Sequence, residues 1–375
     1  MKYFRSRYSN ALRLLDGYQY PEPFHITAKN FFKLHKKFGS KDRKAVAEVA
    51  YTYFRCGKSI AALPISKGLI ISSLLLDFED VDQWNNVAKE AGLAHVLPAN
   101  FFQEGNVLNT IKELVGAETY FYPEGVLMED FAHYNNAQNA RFRPRNWAKD
   151  HLDQEPRKLG VEGAKELALN TTLEDTTQVQ DLSSQYICSK VSISEGDKVW
   201  DVCCGGGGKS LNLIKGSDAD FYLSDIRPGI MENAKARFKA MLYTAKYAVA
   251  DLSKPSEKLF FGEGKVGHGA FDVVVADVPC SGSGTWYRTP EHFTHFDYTK
   301  LGEYADKQKS IVKNALPFLQ KGGKFYYITC SVFSIENTEV KDWILANTDL
   351  TLKEEISFDG IDQKADGMYM ACFTH

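Results

Sequence analysis

Apolar positions change their period about midway along the chain. In the first part they recur at helical spacing. Val46, Val49, Ala50, Tyr53 and Phe54 line one face of a helix that Ser40 is placed to cap and Gly57, just past Arg55, to stop. The same reading predicts helices near 81–95 and 105–116. From about residue 196 short apolar runs take over: KVWDV, FYLSD, FDVVVAD and KFYYIT each read as a buried strand. Helical segments such as 229–242 and 301–316 separate them, the second with Leu301, Tyr304, Ala305, Ile311, Val312 and Ala315 on one face. Strands alternating with helices predict an α/β domain whose parallel sheet is covered on both sides.

Ligands of such sheets bind at the carboxyl ends of the strands. The distinctive residues cluster there: Asp201–Lys209, Asp225, Asp277–Cys280 and Thr329–Ser331. Between the two textures lies a polar, basic stretch, 141–158, predicted to be a connection or a small subdomain. No internal repeat or low-complexity tract is present. The chain therefore divides into a helical part over 1–130, a basic connector over 131–195 and an α/β domain over 196–375.

Composition sets the class. With 44% apolar, 25% charged and 13% aromatic residues, the chain can bury a core, and 375 residues suit two or three domains. No apolar run reaches the length of about 18 residues that suggests a membrane span. The opening MKYFRSRYSNALRLLDGY is charged throughout, so no secretory signal is expected. Seven cysteines without a disulfide-type spacing suit a reducing cytoplasm.

The net charge of −3 hides a strong asymmetry. Residues 1–60 hold 13 Lys/Arg against 4 Asp/Glu, and residues 71–130 hold 2 against 11. Phosphate binding follows local potential, so Lys33, Lys36, Lys37, Lys41, Arg43 and Lys44, interleaved with Phe31, Phe32 and Phe38, are candidate nucleic-acid contacts. A solvated helix face is the equally weighted alternative. Arg141, Arg143 and Arg145 are further candidates on the connector.

The segment DVCCGGGGKS, Asp201 to Ser210, follows a strand and opens a helix. Its glycines, Gly205, Gly206, Gly207 and Gly208, permit positive φ and close approach of backbone to ligand. A phosphate loop is disfavoured because Cys203 stands where its first glycine belongs, and a dinucleotide fingerprint because Ser210 stands where its third belongs. A nucleoside-binding turn for S-adenosylmethionine remains, formed by Cys203, Cys204, the four glycines and Lys209. It gains from Asp225, which ends the next strand and is placed for ribose hydroxyls, and from Asp251, placed for an adenine amino group.

The strongest pattern is a pair of cysteine motifs. One strand runs into Asp277-Val278-Pro279-Cys280 and another into Thr329-Cys330-Ser331. A lone free cysteine is usually a small buried hydrophobe. Two of them, each just past a strand and among Pro, Gly and Ser, are not core positions.

These motifs, D-x-P-C-S-G-x-G-T and T-C-S-x-x-x-x-E-N, resemble the paired signatures of the RNA 5-methylcytosine methyltransferases, the bacterial rRNA and eukaryotic NSUN-type (Fmu-like) superfamily. VQDLSSQ (Val179–Gln185) resembles the segment before that family's donor turn, and DGMYMACF (Asp366–Phe373) the hairpin that ends its sheet. FGSKDRKAVAEVAYTYFRCG resembles a helix of the NusB-like RNA-binding domain of bacterial members. The resemblance implies a class I (Rossmann-like) methyltransferase sheet preceded by an all-α NusB-like domain. It implies S-adenosyl-L-methionine as cofactor and RNA as partner, with rRNA favoured, tRNA left open, and neither membrane nor metal. A monomer is the default expectation.

The chemistry explains the second thiol. Carbon 5 of cytosine is too weak a nucleophile to take a methyl group until a thiolate adds to carbon 6 and creates an enamine. The resemblance gives that addition to Cys330, the later elimination to Cys280, and hydrogen bonding of the cytosine ring nitrogen and amine to Asp277. Lys209 is placed to favour a thiolate. Two departures stand out. The family's turn reads C-A-A-P-G-G-K, so the proline-free turn here is expected to be looser, with Cys204 as an extra thiol. Ile230 stands where the family has an arginine five residues after its acid. A DNA cytosine methyltransferase, which attacks from its Pro-Cys motif, and a non-catalytic RNA-binding or assembly factor on the same fold are the competing readings.

Overall fold

The computed structural model of the chain describes residues 3–76, 81–93, 146–150, 156–157, 161–162, 164–167, 177–360 and 365–375. It divides into two units, Met1–Arg143 with Trp286–Tyr298, and Pro144–Thr285 with Thr299–His375.

In the first unit the described elements are helical: α1 (Phe4–Asp16), α2 (Phe24–Leu34), α3 (Ser40–Phe54), α4 (Lys58–Ala61), α5 (Ile65–Leu76) and α6 (Val81–Glu90). The helical face expected on α3 is real, for Val46, Val49, Ala50, Tyr53 and Phe54 are all buried. Ser40 is not its cap. Gly39 occupies that position and no side chain closes the turn, so Ser40 is the first helical residue. α6 is shorter than expected because Gly92, at φ +69°, ends the run. The excursion 286–298 was not foreseen as part of this unit. Its short helix Pro290–His295 is tied in by Thr294, whose hydroxyl donates to the Phe54 carbonyl (2.7 Å), and by the Phe24 amide, which donates to Glu291 (3.0 Å). The segment expected as a helix at 105–116 lies outside the described residues, as do Arg141, Arg143 and Arg145. The likeness to a NusB-like domain rests on sequence alone.

The second unit is built on seven strands: β1 (Lys198–Asp201), β2 (Asp220–Asp225), β3 (Lys246–Val249), β4 (Phe271–Asp277), β5 (Leu319–Thr329), β6 (Thr351–Phe358) and β7 (Met368–Thr374). They lie in the order β6-β7-β5-β4-β1-β2-β3. β5, β4, β1, β2 and β3 run parallel, while β7 is antiparallel to both neighbours. This is the doubly wound sheet the alternating pattern predicts, closed by the C-terminal hairpin.

The period of two along each strand divides the core. Val199, Val273, Val275, Tyr326 and Ile328 face one side, with α7 (Leu182–Ser189), α8 (Gly208–Ile214) and α9 (Pro228–Ala240) supplying Ile187, Leu211 and Phe238. Trp200, Val274, Ala276, Phe325 and Tyr327 face the other, with α10 (Leu301–Ala315) and α11 (Thr338–Asn347) supplying Ile311, Val312, Val340 and Ile344. Strands buried on both faces read as continuous apolar runs, which is why they stood out in the sequence. Before this sheet, Asn146–Asp150 pairs antiparallel with Ala164–Leu167 and with Thr177–Val179 in a small three-stranded sheet. Among the described residues no helix is long and apolar enough to cross a membrane.

Phe325 has no exposed surface and sits centrally in the second face. Phe325→Ala should therefore cost about 3–5 kcal/mol in denaturant unfolding, through lost transfer energy and the cavity left behind.

Candidate active site

Strand order reverses where β1 lies beside β4, and the turn after β1 opens into the crevice above that point. The turn is held by its own backbone and by neighbours. The Cys204 amide donates to the Ser224 carbonyl (2.9 Å) and the Gly207 amide to the Cys204 carbonyl (2.9 Å). Gln178 donates to the Gly208 carbonyl (2.9 Å), as does Gln180 (3.3 Å), and Arg237 donates to that of Gly206 (2.6 Å). Gly207, at φ +75°, has no room for a side chain, since a Cβ would meet the Phe238 ring at 2.9 Å. The looser turn expected from the missing proline is therefore tied down from three other segments. Cys204 is packed beneath it, its sulfur 3.6 Å from that of Met231, and burial pushes its thiol up. Cys203 faces the cleft, its thiol likewise raised by burial.

Asp225 ends β2, as expected, with two unforeseen partners. Its carboxylate accepts from the Gly205 amide (3.1 Å) and takes both arms of Arg227 (2.8 and 2.9 Å). Burial alone would raise its pKa, and the bonds from Arg227 reverse that, leaving it below the usual value. Arg227 thus supplies a cation where Ile230 does not. Asp251 also reaches the cleft, accepting from the Ser253 hydroxyl and amide, and the hydroxyl bond holds it below its usual value. Asp201 instead turns inward. It is fully buried, accepts from Ser210 (2.5 Å), and burial raises its pKa to about 7.

The cysteines meet. The sulfurs of Cys280 and Cys330 are 3.4 Å apart, and both line the same cleft. Lys209 reaches from α8 to Asp277 (2.7 Å). Burial would lower the Lys209 ammonium, but the Asp277 carboxylate more than offsets this, with the Cys188 and Cys330 thiols adding to the rise. A lysine so committed is not a free phosphate ligand, which further disfavours the phosphate-loop reading. The Cys280 thiol is raised well above its usual value, first by its bond to Cys330, then by burial and by the charges of Cys330 and Glu336.

The cleft has a volume of about 620 Å³ and runs from Ile226, Asp225 and Asp251 at one end to Asp277, Cys280 and Cys330 at the other. It brings together every cofactor candidate of the sequence except Gly207, which serves from beneath the turn. Gln178, Arg227 and Arg237 were not foreseen, while Gln180 and Glu336 stand in the quoted signature segments without an assigned role. The amide-rich run at 178–185 before a glycine turn was the available signal for the glutamines. In the helical unit Lys33, Lys36, Lys37, Lys41, Arg43 and Lys44 are all exposed, around the end of α2 and the start of α3. The interleaved rings are not a free stacking platform. Phe32 is buried, and Phe31 and Phe38 pack on it at 5.3 and 5.7 Å.

Residues 189–372 match the family of the 16S rRNA methyltransferase RsmB/F. The chain is 28% identical over 162 residues to ribosomal RNA small subunit methyltransferase B of Yersinia enterocolitica, covering 43% of this chain and 36% of that protein. It is 28% identical over 195 residues to the mitochondrial tRNA (cytosine(34)-C(5))-methyltransferase of Danio rerio, covering 49% of each. The matches thus span less than half the length of these curated relatives. Among solved structures, PH0851 shares the fold at a TM-score of 0.63 and 16% identity, over 98% of this chain and 97% of that one.

Two outcomes follow from the packing around the cleft. Asp201 has a folded pKa of about 7 against 3.8 for the free group, so its contribution to stability is complete below about pH 4 and is lost as pH rises through 7. Asp201→Asn should remove that decline, of the order of a few kcal/mol, from the stability measured by denaturant unfolding at pH 4 and pH 8. Gly284 donates its amide to the Cys330 carbonyl (2.9 Å) and accepts from the Gly367 amide (2.9 Å), and a Cβ there would collide with the Gly367 carbonyl. Gly284→Ala should lower the melting temperature by several degrees, checked by calorimetry.

Proposed function

We propose, from the match of residues 189–372 to the RsmB/F-type methyltransferase family, that the protein methylates a cytosine of RNA at ring carbon 5. The observation that carries this reading is the pair of thiols at 3.4 Å at the ends of β4 and β5. Direct methyl transfer to an oxygen or an amine has no use for such a pair; addition to carbon 6 followed by elimination uses one group as nucleophile and one as base, and the pair can supply both.

The cleft suits S-adenosylmethionine. Glycine backbone lets a nucleoside approach at the turn, Asp225 and Asp251 offer acceptors at successive strand ends, and the exposed Ile226 offers an apolar wall. When bound there, the cofactor supplies the methyl group. Cys330 adds as its thiolate to carbon 6 of the cytosine. Asp277, positioned by Lys209, accepts from the cytosine amine and from the ring nitrogen as it takes up a proton. After carbon 5 takes the methyl group, Cys280 in its thiolate form removes the carbon 5 proton, the electron pair left behind expels the Cys330 sulfur from carbon 6 as thiolate, and the ring nitrogen gives its proton back to solvent. Arg227 must yield one of its bonds for ribose hydroxyls to reach Asp225, and its exposed position leaves it free to turn outward.

The exposed lysines and arginine around Lys33–Lys44 are the RNA contacts in this account. Three of them, Lys41, Arg43 and Lys44, crowd the start of α3, where positive charge is unfavourable to the helix itself. Ribosomal RNA is the favoured substrate, as in the Yersinia relative, and the reducing cytoplasm is the compartment that suits two free catalytic thiols. Transfer RNA is the second reading, favoured by the likeness to the Danio rerio enzyme, whose name also specifies cytosine carbon 5.

Incubation with total RNA and labelled S-adenosylmethionine should yield 5-methylcytosine on nucleoside analysis. Cys330→Ala should reduce this to background, and Cys280→Ala should permit no more than one transfer per enzyme. Label in any other nucleoside, or undiminished label with Cys330→Ala, would overturn the reading.

A further inference from the structure

We infer that Glu336 is the positioning residue of the thiol pair, tying the loop after Cys280 to the loop after Cys330 and placing a negative charge on the Cys280 side. The inference rests on the proposed reading for its catalytic meaning but not for its geometry.

Glu336 is completely buried on the 3-10 turn Ser334–Glu336 that follows β5. One carboxylate oxygen accepts from the Ser281 amide (2.7 Å) and from Gln308 (3.2 Å). The other accepts from the hydroxyls of Ser281 and Ser331, each at 2.5 Å. Ser281 and Ser331 are the residues immediately after the two cysteines. Four donors from three segments therefore converge on one carboxylate, and its removal would leave the buried Ser331 and Gln308 short of an acceptor. Further bonds close the network. Val332 donates to Ser283 (2.9 Å), Gln308 to the Pro279 carbonyl (3.0 Å), and Tyr327 to the Glu336 carbonyl (2.5 Å).

The charge matters as well as the reach. Two thiols at 3.4 Å would compete for carbon 6 if their surroundings were alike. They are not alike. The Glu336 carboxylate acts on Cys280, whereas Cys330 is the thiol that lies within reach of the Lys209 ammonium's charge. The other charges lining the cleft are Asp277, which Lys209 offsets, Lys307, Arg237, Asp225, which Arg227 offsets, and Asp251, which Lys254 meets. A carboxylate beside Cys280 disfavours its thiolate as the attacking group and makes it a stronger base once it does form. The same residue thus fixes where the sulfurs are and which of them attacks.

The test separates charge from reach. In a Cys330→Ala background, the rate of Cys280 alkylation by iodoacetamide is followed against pH by peptide mass spectrometry. Glu336→Gln should lower the apparent ionisation of Cys280 by about one pH unit, giving about tenfold faster labelling at pH below both values. Glu336→Asp in that background should keep the parent profile. In the enzyme with both cysteines, Glu336→Asp should lower kcat at least tenfold without raising the KM for S-adenosylmethionine, because the shorter carboxylate cannot reach both serines. Identical pH profiles for Glu336→Gln and its parent, or full turnover in Glu336→Asp, would overturn the inference. Should Glu336→Gln fail to fold by circular dichroism, the turnover of Glu336→Asp decides. A shifted alkylation profile in a protein that methylates no RNA would sink the function and leave the geometry of Glu336 intact.

Discussion

The cleft depends on the parallel register of β4 against β5. That register sets Asp277 opposite Ile328, so both chains leave the sheet at nearly the same height. Cys280 comes three residues after Asp277 and Cys330 two after Ile328, and the two sulfurs arrive in contact. A slip of one residue would turn every side chain of β5 to the opposite face. Phe325 and Tyr327 are packed into the core on one face and Tyr326 and Ile328 into that on the other, so such a slip would lose the close packing of both. The hydrophobic pattern that builds the core thereby also places the chemistry.

Above the sheet the polar groups are organised by charge rather than by packing. Lys209 and Asp277 form a pair with little solvent exposure, and loss of either partner would leave an uncompensated charge, which typically costs several kcal/mol. Glu336 gathers the serines beside each cysteine. Asp225 is held by Arg227 and the Gly205 amide at the other end of the cleft. Each acid has a different environment, which suits the three tasks proposed for them: orienting a base, joining two loops and receiving a nucleoside. Asp201 sits beneath them in the core and supports the turn through Ser210.

Features carried by local pattern were legible in the sequence, and features carried by distant contact were not. The β4 run FDVVVAD was bounded correctly at both ends, because a strand buried on both faces leaves a continuous apolar signature. The pairing of Cys280 with Cys330 in one cleft followed from placing both at ends of strands in one sheet. The tie between Arg227 and Asp225 is also local, yet an arginine two residues past a strand end has no pattern that separates it from a solvated one. Gln178 and Gln180 could not be assigned, since they act through the Gly208 carbonyl about thirty residues away. Segment 286–298 joins the helical unit through Glu291 and Thr294, and nothing in its composition signals that. The phenylalanines interleaved with the lysines pack on one another, with Phe32 buried, and so join α2 to the turn before α3.

The central claim is that a covalent bond to RNA forms at Cys330 and not at Cys280. Total RNA containing 5-fluorocytidine, incubated with the protein and S-adenosylmethionine, blocks release because carbon 5 has no proton to lose. Nuclease and protease digestion followed by mass spectrometry then locates the attached nucleotide. The account predicts a methylated fluorocytidine adduct on the peptide containing Cys330. An adduct on the Cys280 peptide, or none on either while methylation of ordinary RNA proceeds, would contradict it.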